Sequence, residues 1–276
     1  MIRTGDGVTP EFRRLVEALR PFLPDVVVVG GWAHQLFELH PLARRPDFVP
    51  LTTEDADIAL PATLNVRGIT LGERLRRADF KEEMSGTDRP PVTKYRLGDG
   101  GFYAEFLLPK TGAGVRRSGD RDATATVQGV VARKLPHVEV LLIDPWTVEL
   151  PPEHPGGHAV KIRIPNAVTY LAQKLLVLVD RQKEKQSADV VYIHDTLAIF
   201  AESIPALRQL WGSFEARFTS KQMRSLKERI ESIFGSVDDR IRRAARIVRE
   251  TERGAPPSAT QIQERCCSGL LKIFDA

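Results

Sequence analysis

Apolar residues recur along this chain with two periods, and the change from one to the other divides it. Phe12, Leu15, Val16 and Leu19 fall at helical spacing behind Thr9-Pro10-Glu11, which reads as an N-cap, a first-turn proline and a first-turn acid. Pro21 and Pro24 end that helix. The β-branched run at 25–29 predicts a buried strand, Gly30-Gly31 breaks it, and 32–39 predicts a short helix. A loop containing Pro and Arg, over 40–50, leads to a second apolar strand at 55–60. Thr70-x-x-Glu73 has the form of a capping box for a helix running to 77 or 78. Segments 92–97 and 102–108 flank Gly98-Asp99-Gly100-Gly101, a hairpin signal. A Gly- and Arg-rich loop follows over 110–122, and strands are predicted at 127–131, 138–143 and 160–164.

After Pro165 the helical period takes over. Helices are predicted at 168–181, 188–201, 206–217, 221–234, 237–250 and 258–274. The fold class is therefore α+β: a mixed-sheet domain over 1–163 and a helical domain over 164–276.

Composition narrows the class. Of 276 residues, 42% are hydrophobic and 28% charged, too apolar for a disordered chain and too charged for a membrane one. No apolar run approaches the ~18 residues that span a bilayer, and the first residues lack a signal peptide's apolar stretch. The two cysteines, Cys266 and Cys267, are neighbours and build no disulfide framework. A cytoplasmic protein without a membrane partner is expected. The formal charge is +4, yet 203–253 alone carries 12 Lys/Arg against 7 Asp/Glu, which concentrates the positive charge near the C-terminus. That suits an anionic partner such as RNA or a nucleotide, or else a set of amphipathic helices with solvated arginine faces.

Three features of the first domain bear on chemistry. Gly30-Gly31 between strand and helix lets a phosphate approach bare backbone N–H groups, although such turns also serve as plain connections. Asp55 and Asp57, two apart on a strand, project from one face about 6–7 Å apart at Cα, within reach of shared hard cations. A solvent-facing edge strand, or Asp55 capping a turn, is the alternative. Glu105 stands alone in Phe102-Tyr103-Ala104-Glu105-Phe106-Leu107-Leu108, and burying it there requires a partner. If its strand lies beside the Asp strand, it completes a group of three carboxylates; otherwise it is an edge residue facing water. Other chemistries lack their signatures, since there is no Walker-type loop, no His-Glu-x-x-His, no Cys-x-x-Cys and no Gly-x-Ser-x-Gly. His154 and His158 sit in a Pro-Gly-Gly loop without a fixed face, and His194-Asp195 on a helix predicts an interhelical hydrogen bond.

Together these residues resemble the nucleotidyltransferase (DNA polymerase β-like) superfamily, whose pattern is Gly-Gly at a helix start, an Asp-x-Asp strand and a third acid on a later strand. Ile164-Pro165, then Tyr170-Leu171-Ala172-Gln173-Lys174-Leu175, then Arg181, Lys185 and Asp189 are similar to the helical region of minimal bacterial members. Among those, toxins of type IV toxin–antitoxin and abortive-infection systems look nearest. The resemblance covers roughly 25–200. It departs in a long segment between Gly31 and Asp55, in a Glu at the third acid, and in Gln186 where an acid is common.

The resemblance implies a mixed sheet flanked by helices and a magnesium-dependent transfer of a nucleoside monophosphate from an NTP such as ATP to a hydroxyl acceptor: a tRNA end, a protein or a small molecule. It implies two Mg²⁺ ions held by Asp55, Asp57 and Glu105, and a triphosphate backed by Gly30 and Gly31. Lys174 and Arg181 are then expected at phosphates and Tyr170 against the base, with core packing the plainer role for the tyrosine. Arg116, Arg117 and Arg121 are candidates to meet a polyanionic acceptor, with solvated loop arginines the plainer role. A cognate antitoxin and RNA bound by the basic C-terminal helices are the implied macromolecular partners. The alternative is a catalytically weak or inactive member acting as an RNA- or protein-binding module, motivated by Glu105 and Gln186; an unrelated α/β enzyme is a third reading.

Overall fold

The computed structural model describes residues 8–44, 51, 53–65, 68–112, 122–153, 157–250 and 256–274. The chain divides into two units, Met1–Gln35 with Thr52–Pro165 and Leu36–Leu51 with Asn166–Ala276. The second unit thus recruits a segment from early in the chain, where the linear reading had placed one cut at 163/164.

The first unit runs α1 (Pro10–Leu19), β1 (Val27–Val29), α2 (Gly30–Leu36), β2 (Asp55–Ala59), α3 (Leu71–Arg77), β3 (Phe80–Ser85), β4 (Val92–Leu97), β5 (Tyr103–Pro109), β6 (Thr124–Val127), β7 (Val130–Leu135), α4 (Val138–Leu141), β8 (Trp146–Leu150) and β9 (Val160–Ile164). Among the described residues one mixed sheet runs β1-β2-β5-β4-β3, with β7 also on β5 and β6 on β7. Strand β5 is the centre because Ala104 to Leu108 are buried without a break, the signature of a strand covered on both faces. It pairs parallel with β2 and with β7, and antiparallel with β4 across the expected Gly98–Gly101 hairpin. Thr9 and Thr70 cap α1 and α3, accepting from the Phe12 and Glu73 backbone N–H groups.

Three sequence readings change. The strand expected at 138–143 is the single turn α4, which puts Val138 and Leu141, three apart, into a cluster with Val27, Val29, Ala59 and Leu107. The Val-Glu-Val alternation imitates a strand, but His137 and Asp144, both at positive φ, close it off as one helical turn. The strand expected at 127–131 is interrupted by the turn of the β6–β7 hairpin: Gln128 and Gly129 are at positive φ, while Val127 ends β6 and Val130 and Val131 begin β7. Strands β3 and β8 were not anticipated; β3 is exposed along all but Phe80, so its pattern carries no core face.

The second unit is helical: α5 (Ala167–Leu178), α6 (Lys183–Ile199), α7 (Ile204–Phe214), α8 (Ser220–Phe234), α9 (Asp239–Glu250) and α10 (Ala259–Phe274). Asn166 caps α5 and a Thr219/Gln222 capping box opens α8. The expected interhelical bond exists: Arg265 Nη1 of α10 lies 3.1 Å from His194 Nε2 of α6. An arginine can only donate, so Nε2 accepts. Among the described residues, no single helix is long and apolar enough to cross a membrane.

Candidate active site

Strand register assembles the acid group. In the parallel β2–β5 ladder, Asp55 stands opposite Tyr103 and Asp57 opposite Glu105. Directly opposed residues on neighbouring strands, about 4.8 Å apart, share a face. Asp55, Asp57, Tyr103 and Glu105 therefore occupy one face of the sheet, and the intervening Ala56, Ile58, Ala104 and Phe106 pack into the core behind it. Glu105 is only 8% exposed, whereas Asp55 and Asp57 are half-buried.

The glycine pair arrives from the other side. Val29, the last residue of β1, is the partner of Asp57, so Gly30 and Gly31 open α2 at the edge of the acid group. Gly30 adopts φ +66°, and a Cβ built on it would fall 2.5 Å from Asp57 Oδ2. A glycine is required there by backbone and by space at once.

Each carboxylate has partners. The Thr53 hydroxyl donates to Asp55 Oδ1, and Tyr103 Oη lies 3.4 Å from Asp55 Oδ2. Arg133 Nη1 on β7 lies 3.5 Å from Glu105 Oε1. Lys94 Nζ sits 4.0 Å from the centre of the Tyr103 ring, with the Arg96 guanidinium carbon at 5.7 Å. Burial pushes the Tyr103 phenol up to about 12, and Asp55, Glu105 and Asp57 add to the shift by opposing a fourth negative charge. That all three acids act on one phenol records their proximity.

Three hard-oxygen donors on one face, in adjacent register, are the donor type that Mg²⁺ takes. As the side chains lie, no group of three or more His, Cys, Asp or Glu among the described residues encloses a single metal position. Asp55 is turned to Thr53 and Tyr103, and Glu105 to Arg133. The carboxylates suit the ion in donor type, and as the side chains lie they do not enclose it.

The remaining expected residues belong to the second unit. Lys174 and Arg181 are engaged with Asp189: Lys174 Nζ is 2.7 Å from Oδ1, and Arg181 Nη1 is 2.9 and 2.8 Å from the two oxygens. Lys174 also lies 4.6 Å from the Tyr192 ring centre and 5.4 Å from that of Tyr170. A buried aspartate and two aromatic faces surround its charge. Tyr170 is itself buried, edge-on to Phe37 at 5.2 Å, and so is packed as a core residue. Burial drives its phenol well above the ordinary range. Arg116, Arg117, Arg121 and His154 lie outside the described residues.

Sequence reasoning missed Thr53, Lys94, Tyr103 and Arg133. Tyr103 was within reach, since it alternates with Glu105 and shares its face once the Asp strand is placed alongside. Arg133 required the β5–β7 pairing, hidden by the misplaced strand at 127–131.

Comparison with known proteins bears on the same segment. Residues 9–214 match a family model described as Nucleotidyltransferase. No curated protein and no solved structure matches. The match runs through most of the chain, including Gly30-Gly31, Asp55, Asp57, Glu105 and the Lys174–Asp189 pair, and on that ground the chain belongs to the nucleotidyltransferase family.

Proposed function

We propose that the chain transfers a nucleoside monophosphate from a nucleoside triphosphate to a hydroxyl of RNA, on the sheet face that carries Asp55, Asp57 and Glu105. The observation behind this reading is the Asp57–Glu105 register, with Gly30 packed against Asp57. In the transfer, the acceptor oxygen bonds to the α-phosphorus while that phosphorus loses its bond to the bridging oxygen of the β-phosphate. Pyrophosphate leaves, and the hydroxyl proton passes to one of the carboxylates.

Asp55, Asp57 and Glu105 would hold Mg²⁺, two ions by resemblance, which when bound offsets the charge of the triphosphate and acidifies the attacking hydroxyl. Thr53 and Tyr103 orient Asp55 from either side. Gly30 and Gly31 keep side chains away from the start of α2, so phosphate oxygens can lie against backbone N–H groups.

RNA is favoured as acceptor by the basic surface of the second unit. Helix α9 buries Ile241, Ala244, Ala245 and Val248 and exposes Arg242, Arg246 and Arg249. The test incubates the protein with Mg²⁺, total RNA and each α-³²P-labelled NTP in turn, with and without EDTA, followed by nuclease or protease digestion. Nuclease-sensitive label that EDTA abolishes is expected. Label that only protease removes would name a protein acceptor instead, and label insensitive to EDTA would contradict the metal.

A further inference from the structure

We infer that Arg133 is a phosphate-binding residue of the transfer site, held on Glu105 until a triphosphate enters; this rests on the function proposed above. In the parallel β5–β7 ladder Arg133 stands opposite Leu107, two residues beyond Glu105, so it belongs to the face that bears the carboxylates. Its neighbour Lys134 points to the other face and makes a close, two-sided pair with Asp122, 2.8 Å to each oxygen. That pair has the geometry of a fixed structural contact.

Arg133 is different. It reaches Glu105 through Nη1 alone at 3.5 Å, and its side chain is 39% exposed while that of Glu105 is 11% exposed. A guanidinium carries five N–H donors in a planar fork suited to phosphate oxygens. Of the nearby cations, Arg96 is anchored on Glu83 at 2.8 Å and Lys94 lies over the Tyr103 ring. Among the described residues of this face, Arg133 thus combines a loose hold on a site carboxylate with an open side.

Its partner is the carboxylate that a divalent cation would also need. Glu105, buried among apolar residues, requires a positive neighbour, and Arg133 supplies it. The arginine and a metal ion compete for that carboxylate. Once the ion holds Glu105, the guanidinium is released on the face that bears the carboxylates, where it can meet phosphate oxygens. Arg133 therefore opposes metal binding and favours phosphate binding, two effects of opposite sign from one side chain.

Opposite signs make the test sharp. Mn²⁺ binding to the full chain is followed by electron paramagnetic resonance, and binding of inorganic tripolyphosphate at saturating Mn²⁺ by calorimetry. Arg133→Gln is expected to bind Mn²⁺ several-fold more tightly and tripolyphosphate roughly tenfold more weakly than wild type. Arg133→Lys, which keeps the charge and loses the fork, is expected to hold Mn²⁺ like wild type and still lose part of the tripolyphosphate affinity. Unchanged affinities in Arg133→Gln, or a loss of both, would overturn the inference. If wild type binds no Mn²⁺, or Asp57→Asn binds it as well as wild type, the carboxylate site itself fails and this role of Arg133 fails with it.

Discussion

The Gly30 backbone and the Asp57 carboxylate occupy adjoining space: a Cβ on Gly30 would lie 2.5 Å from Asp57 Oδ2. Gly30→Ala therefore meets two obstacles. The left-handed φ of +66° costs a residue with a Cβ about 1–2 kcal/mol, and the carboxylate must move aside. Urea unfolding should show the first as a lower midpoint. Label transfer should fall on the order of 100-fold, since displacing a reacting group by about 1 Å has that effect.

The Asp189 carboxylate sits between Lys174 and Arg181 and is 1% exposed. Asp189→Asn leaves two cations facing each other around a neutral amide. A loss of about 3 kcal/mol in unfolding free energy is expected. Asp180→Asn serves as the comparison, because its pair with Arg229 at 3.4 Å is 75% exposed on the aspartate side. That substitution should change stability by less than about 1 kcal/mol.

Tyr103 supplies a pH prediction. Its phenol, ordinarily near 10, is pushed up to about 12 by burial and by Asp55, Glu105 and Asp57. The folded state thus favours the protonated form. The contribution of that hydroxyl is fully present below pH 10 and is lost as pH rises through about 12. Wild type should lose stability between pH 10 and 12 faster than Tyr103→Phe. The 295 nm absorbance difference between the two proteins should develop near pH 12 as well.

How much of this was readable in the sequence depended on whether local signals stood alone or needed a neighbour. The cap at Thr9, the Gly98–Gly101 hairpin and the Asp-x-Asp strand are local, and each lies where expected. Asp57 beside Glu105 followed from one added assumption, that their strands pair. Residues 138–143 are misjudged because six residues, apolar except for Glu139, fit both periods, and contacts with Val27 and Leu107 decide between them. Lys174, a charge in an apolar helix, calls for an anionic partner, and the sequence does not say whether that is a phosphate or a carboxylate. Asp189, fifteen residues on, satisfies it from the next helix, a pairing visible only when α5 and α6 lie together. Segment 36–51 joins the helical unit through contacts such as Phe37 with Phe200, which no chain-local pattern encodes.

The most direct measurement compares wild type with Asp57→Asn in transfer of label from α-³²P-labelled NTP to RNA. Circular dichroism and thermal melts would establish that both proteins fold. Asp57 is half-buried and faces outward from the sheet, so the amide is expected to fold normally. Transfer by wild type and a loss of at least about 100-fold in the variant is the predicted result. Equal transfer by both proteins would contradict a carboxylate-centred site, and RNA retained by both without any transfer would leave a binding module in place of an enzyme.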